Sequence, residues 1–234
     1  MRNQRLYFTT LFLALTVLGF FCTDRAQAGS ITYLVTVDTT LLDTQYGYLD
    51  FQFNPGGGSA LPATATVTNF LTDGILNPSD LNNSTSGDVT NSLPGTPANP
   101  LTIDNGVNNN SGFNDYFEGF TYGTSIGFDL TLSGAAVNNS GTSPLALDGS
   151  SFAFSLYDST GTIPQLTTDP NGSVLTINVN VNGTTSVETF PQSSSDNTPV
   201  ASAPPLQSSV PAPPSIVLFI LGIPAGLVYW RRSR

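Results

Sequence analysis

Between residues 29 and 230, carboxylates are the only side chains charged at neutral pH, and they set what chemistry this region can do. Of sixteen acidic residues only Asp24 precedes that stretch. All six basic residues are arginines near the two ends: Arg2, Arg5, Arg25, Arg231, Arg232 and Arg234. Histidine and lysine are absent, and the single cysteine is Cys22. Serine–histidine and cysteine–histidine nucleophiles, histidine-ligated zinc, Schiff-base lysines and arginine clamps on phosphate are therefore excluded there. A pair of carboxylates remains, which is the equipment of glycoside hydrolysis. Asp115 and Glu118 are the nearest such pair, with Glu188 the only other glutamate in the region. Positions 115 and 118 of a strand point to opposite faces, so no shared cleft is expected and the chain reads as a non-enzyme.

The same charge pattern limits partners. A region with fifteen acids and no base repels nucleic acid and anionic headgroups, so no nucleic-acid partner is expected. Divalent cations are attracted, and the bland consequence of the acidity is solubility. No cofactor is expected, with Ca2+ the one ion the composition accommodates. The stretch Asp80-Leu-Asn-Asn-Ser-Thr-Ser-Gly-Asp88 superficially resembles a Ca2+ loop, but Thr85 takes the place of the required glycine and no glutamate closes it. Aromatic rings that stack on sugar faces offer a second chemistry. Tyr46, Tyr48, Tyr116 and Tyr122 are the candidate platform, with Tyr48, Tyr116 and Tyr122 the expected ligand-binding residues. Packing in a core is the competing role for the same rings.

The elements that must position these residues are strands. Ile31, Tyr33, Val35 and Val37 alternate with Thr32, Leu34 and Thr36. Leu49, Phe51 and Phe53 share one face of a second strand, with Tyr48, Asp50 and Gln52 on the other. Asn54-Pro-Gly-Gly-Gly58 breaks that strand. A third strand is predicted over Thr64–Leu71, turned by Asp73-Gly74. Residues 73–112 are poorly patterned, with short strands expected near Asp88–Asn91 and Leu101–Asp104 and a turn at Asn105-Gly106. Alternation returns in Ile126, Phe128, Leu130 and Leu132, in Phe152, Phe154 and Leu156, and in Leu175, Ile177, Val179 and Val181. Asn182-Gly183 then predicts a hairpin into Thr184–Phe190. The expected fold is all-β: a single β-sandwich of jelly-roll or immunoglobulin-like kind over residues 29–190. Residues 191–209, rich in proline, serine and alanine, read as an extended linker.

The two ends carry addresses. Arg2 and Arg5, the apolar run Leu6–Cys22 and Ala26-Gln-Ala28 form a signal peptide cleaved after Ala28, which implies the Sec translocon. Bulky Phe20 and Phe21 before Cys22 exclude a lipoprotein signal. Cleavage removes the only cysteine, so the exported chain forms no disulfide. At the other end, Val210-Pro-Ala-Pro213 leads into an apolar run, Ile216–Trp230, and then Arg231, Arg232 and Arg234. Fifteen helical residues rise about 22 Å, short of the ~30 Å hydrocarbon core, and Pro224 should kink them. The arginines act as a cytoplasmic membrane stop, leaving residues 29–209 outside.

These features resemble the PEP-CTERM sorting signal of Gram-negative bacteria, whose usual motif is Val-Pro-Glu-Pro. The match covers about a tenth of the chain, with Val210, Pro211 and Pro213 agreeing and Ala212 standing in place of glutamate. The resemblance implies recognition of Val210, Pro211, Ala212 and Pro213 by an exosortase-type processing enzyme. It also implies removal of the transmembrane span and release of an inner-membrane-anchored precursor to the cell surface or extracellular matrix. Such systems accompany exopolysaccharide. Tyr48-Leu-Asp-Phe-Gln-Phe-Asn-Pro-Gly56, Phe113-Asn-Asp-Tyr-Phe-Glu-Gly-Phe120 and Phe154-Ser-Leu-Tyr-Asp158 resemble a body found on PEP-CTERM proteins of unassigned function. That likeness implies no activity. The expectation is an exported structural or adhesive protein, with an extracellular-polysaccharide-binding module as the alternative.

Overall fold

A computed structural model describes residues 29–107, 112–137, 148–193 and 196–206. In chain order its strands are β1 (Ile31–Asp38), β2 (Tyr46–Pro55), β3 (Ala63–Thr72), β4 (Ile75–Leu76), β5 (Ser84–Ser86), β6 (Val89–Thr90), β7 (Leu101–Asp104) and β8 (Asp115–Thr121). There follow β9 (Ser125–Gly134), β10 (Ser150–Tyr157), β11 (Ser173–Val179), β12 (Thr185–Thr189), β13 (Pro191–Ser193), β14 (Asp196–Pro199), β15 (Ala201–Ser202) and β16 (Pro205–Leu206). One sheet runs β15-β1-β9-β3-β7-β6, with β16 also beside β1; the other runs β12-β11-β10-β2-β8-β4, with β5 beside β8. All the ladders between named strands are antiparallel, and the fold is all-β, as the alternating sequence requires.

Period-two patterning decides which side chains meet. Tyr33, Val35 and Val37 of β1, Phe128, Leu130 and Leu132 of β9, Leu49, Phe51 and Phe53 of β2 and Phe152, Phe154 and Leu156 of β10 are all buried in one core. Phe51 of the second sheet meets Phe128 of the first with ring centroids 5.3 Å apart, and Phe154 meets Phe128 at 5.3 Å. Contacts of this kind across the interior are consistent with a β-sandwich. The expected hairpin is present between β11 and β12. Its loop is one residue longer than a two-residue turn, with Asn180 receiving a hydrogen bond from Gly183 (2.9 Å) and donating to Thr184 (2.8 Å). Gly183 adopts φ +77°, the left-handed conformation such a loop needs. Val181, expected on the inward face, is therefore lifted into the loop and exposed.

The stretch from residue 191 does not run free as a linker. β13 and β14 form a hairpin, and β15 and β16 lie along β1, pairing Thr36 with Ser202 and Thr32 with Leu206. Ala201 and Ala203 are buried, small apolar residues at alternate positions that close over the edge of β1. Pro204 and Pro205 are tolerated because an edge strand need donate only on one side. Composition pointed to an extended linker, but an open strand edge beside it supplies the missing burial. A chain ending at Phe190 should accordingly be at least about 2 kcal/mol less stable than one ending at Leu206, given the lost β1–β15 and β1–β16 ladders, the flanking backbone bonds at 3.1 and 2.9 Å (Leu34 N–H to Pro204, Asp38 N–H to Val200), the Thr168 N–H to Pro191 bond (2.9 Å) and the uncovered alanines. Urea midpoints of the two chains measure this, and equal midpoints would restore the linker assignment.

Candidate ligand groove on the second sheet

Side chains that point away from the core on the second sheet form its outer face. Gln52 and Asn54 come from β2, Ser151, Ala153 and Ser155 from β10, Ser173, Thr176 and Asn178 from β11, and Glu188 from β12. Together with Asp169, Asn171 and Phe190 they line an open groove of about 460 Å3. Register places them in rows: Ala153 lies opposite Gln52 and Thr176, and Thr176 opposite Glu188. The wall formed by the loop before β11 is fixed by Asp169, whose carboxylate accepts from the backbone N–H of Asn171 (3.1 Å) and of Ser173 (3.1 Å). The lining is mostly amide, hydroxyl and carboxylate, with Ala153 and Phe190 its apolar members and no basic residue. It can exchange hydrogen bonds with a polyhydroxylated ligand.

One end of this face is buried rather than open. Asn54 donates to Gln52 at 3.2 Å, and Gln52 donates to Asp50 at 2.7 Å. Asp50 and Asp115 are 4% and 7% exposed, and each has one carboxylate oxygen (Oδ1) without a hydrogen-bond partner. Burial pushes the Asp50 carboxyl up to about 7; the Gln52 amide opposes this and the charge of Asp115 adds to it. Asp115 is also raised by burial, against hydrogen bonds from the Ser86 hydroxyl and backbone. Neither has a basic partner, since the region contains none.

The tyrosines predicted to form a sugar platform do not form one. Tyr48, Tyr116 and Tyr122 are 2%, 4% and 2% exposed. Tyr48 stacks on Phe117 with centroids 4.7 Å apart and planes 13° apart, and the loop at Gly161 covers the pair so closely that a Cβ there would meet Phe117 at 3.2 Å. Tyr116 faces the interior, where its hydroxyl donates to Glu118 and accepts from the Leu93 N–H (3.2 Å). Tyr122 donates to the carbonyls of Tyr48 (2.8 Å) and Tyr157 (2.9 Å), tying β2 to β10. The reason is shared: a phenol between strands satisfies a polar atom while burying a ring. Tyr46, half-buried, donates to Asp80.

Residues 80–88 are not a Ca2+ loop. Asp80 accepts from the Tyr46 and Tyr48 hydroxyls and from the Asn82 N–H (2.7 Å), and residues 84–86 are strand β5. Among the described residues no group of three or more acidic, histidine or cysteine side chains is placed to share a metal. Asp115 pairs in register with Gln52 on the outer face and Glu118 with Leu49 on the inner, as their spacing predicted. The cleavage residues Ala26 and Ala28, the motif Val210, Pro211, Ala212 and Pro213, and the stop residues Arg231, Arg232 and Arg234 lie outside the described residues. So does the expected span 216–230; among the described residues no helix is long and apolar enough to cross a membrane. The groove residues were not singled out in the sequence. Their only signal was the polar half of each alternation, Gln52/Asn54, Ser151/Ser155 and Thr176/Asn178, which any solvent-facing strand also shows. No family model, curated protein or solved structure matches the chain.

Proposed function

We propose that the chain is an exported, non-enzymatic protein of an extracellular polysaccharide layer, whose β body holds a glycan strand in the groove of the second sheet. The observation that carries this reading is the groove itself: an open trough of about 460 Å3 lined by amides, hydroxyls and carboxylates on rigid strands. A cation-free lining favours neutral or amine-bearing glycans over uronate polymers. Strand order supports a jelly-roll sandwich, since β1, β9, β3 and β7 are neighbours in one sheet while β2, β8 and β4 are neighbours in the other. Strands β10 to β12 extend the second sheet and supply most of the groove. Export through the Sec translocon, membrane retention through the C-terminal span and processing by an exosortase-type enzyme belong to the same proposal, on the strength of the terminal motifs.

Affinity electrophoresis of the full chain through gels containing neutral, amine-bearing or uronate polysaccharide tests the groove. Retardation by a neutral or amine-bearing glycan is expected. Asn178→Ala should weaken it about tenfold, as expected for loss of roughly 1.4 kcal/mol of hydrogen bonding. Ala153→Trp, filling the trough from its floor, should abolish it with the fold retained. Retardation unchanged by both variants would remove the groove from consideration and leave a purely structural role.

A further inference from the structure

The outer face of the second sheet contains a second arrangement that the glycan groove does not use. Asp50 and Gln52 on β2 stand opposite Phe117 and Asp115 on β8, so the two carboxylates occupy one diagonal of a two-by-two block. Diagonal neighbours on one face lie about 7–8 Å apart, somewhat less between their Cβ atoms. Each carboxylate has one oxygen engaged, Asp50 by Gln52 at 2.7 Å and Asp115 by Ser86, and one oxygen buried and unpartnered. Buried polar atoms are nearly always satisfied, and a buried carboxylate without a counter-charge is costly. In most proteins an arginine or lysine would meet this need. Here no basic residue exists between residues 29 and 230, so the charge is met by a proton or by a cation from solution, and the cation is the partner that serves both carboxylates at once.

We infer that Asp50 and Asp115 together hold one divalent cation, Ca2+ by its ligand chemistry, on the outer face of the second sheet. Two carboxylates balance its charge, and the two residues, each with a buried unpartnered oxygen, share one face of neighbouring strands. Oxygen-only ligation excludes the metals that select nitrogen or sulfur. Ca2+ tolerates an irregular sphere completed by water, whereas Mg2+ demands a near-ideal octahedron. The bound ion would cross-link β2 to β8 and, through Gln52, fix one end of the groove. Ion binding does not depend on the groove's taking a glycan, and its test contains none.

The test is calorimetric titration of CaCl2 into the full chain after EDTA stripping, in chelator-free buffer at neutral pH with ionic strength held by KCl. A saturable one-to-one event in the range of extracellular calcium modules, about 0.1–1 mM, and a rise in Tm are expected. Asp50→Asn and Asp115→Asn should each weaken binding at least tenfold, while Asn83→Ala and the exposed Asp43→Asn leave it unchanged. Neither amide variant buries a charge, so both should melt no lower than the parent in EDTA, which separates loss of the site from loss of the fold. Absence of saturable binding, an undiminished response in both amide variants, or equal effects of CaCl2 and KCl at matched ionic strength would overturn the site. Equal affinity for MgCl2 would overturn its assignment to Ca2+.

Discussion

Replacing Glu118 by Gln should make the chain about 2–3 kcal/mol more stable at pH 8 and leave its stability at pH 4 nearly unchanged. Glu118 is 5% exposed, faces the interior opposite Leu49 and receives the hydroxyl of Tyr116. Burial alone pushes its carboxyl from 4.5 up to about 7. Between those two values the folded chain keeps a proton that the unfolded chain has released. Stability from this group is therefore complete below about 4.5, falls as the pH rises through 7, and is constant above. Gln keeps an acceptor for Tyr116 and has no proton to lose. Urea midpoints of parent and variant at pH 4 and 8 give the comparison. A parent that gains stability from pH 4 to pH 8 relative to the variant would show that Glu118 is ionised at low cost, contrary to its burial. Repulsion among the other fourteen acids changes in the same direction with pH, but it is common to both chains and cancels in the difference.

Phe51→Ala should cost about 3–5 kcal/mol, the largest single-residue loss expected in the core. The ring is fully buried, with centroid distances of 4.6 Å to Phe154, 5.3 Å to Phe128, 6.4 Å to Phe152 and 6.4 Å to Tyr116. Its contacts cross from the second sheet to the first, so removing it opens a void that neither sheet can close alone. Backbone hydrogen bonds hold β2 between β8 and β10 on both sides, which prevents the strand from sinking inward. Leu81→Ala, at a position 99% exposed, should move the same midpoint by no more than about 0.5 kcal/mol. A Phe51→Ala loss as small as that of Leu81→Ala would mean that the two sheets do not share this core.

Legibility followed how local the cause was. The inward faces of β1, β9 and β10 could be read because alternation is a property of the strand itself. The short strands β6 and β7 were placed by the same logic within a poorly patterned stretch. The segment from Pro191 reads as linker because the partners of β15 and β16 lie on the open edge of β1, 150 and more residues earlier in the chain, while β13 and β14 pair only with each other. Tyr48 reads as a solvent-facing ring for a related reason. Tyr48 and Phe117 both point to the nominally solvent face, and only the loops carrying Asp80 and Gly161 turn that face into interior.

By itself the sequence determined the all-β class, the absence of histidine, lysine and thiol chemistry from the central region, and an acidic body with no internal counter-charge. These follow from composition and period-two spacing, which no folding can change. Tertiary structure decided which acids are costly. Asp50, Asp115 and Glu118 look like the other carboxylates in the sequence, yet covering loops and facing strands bury them, and burial is what raises their affinity for a proton. It also decided where a ligand could lie, because a groove exists only once residues from β2, β10, β11 and β12 stand side by side. Pairing between distant strands sets that neighbourhood, and single-strand patterning carries no record of it.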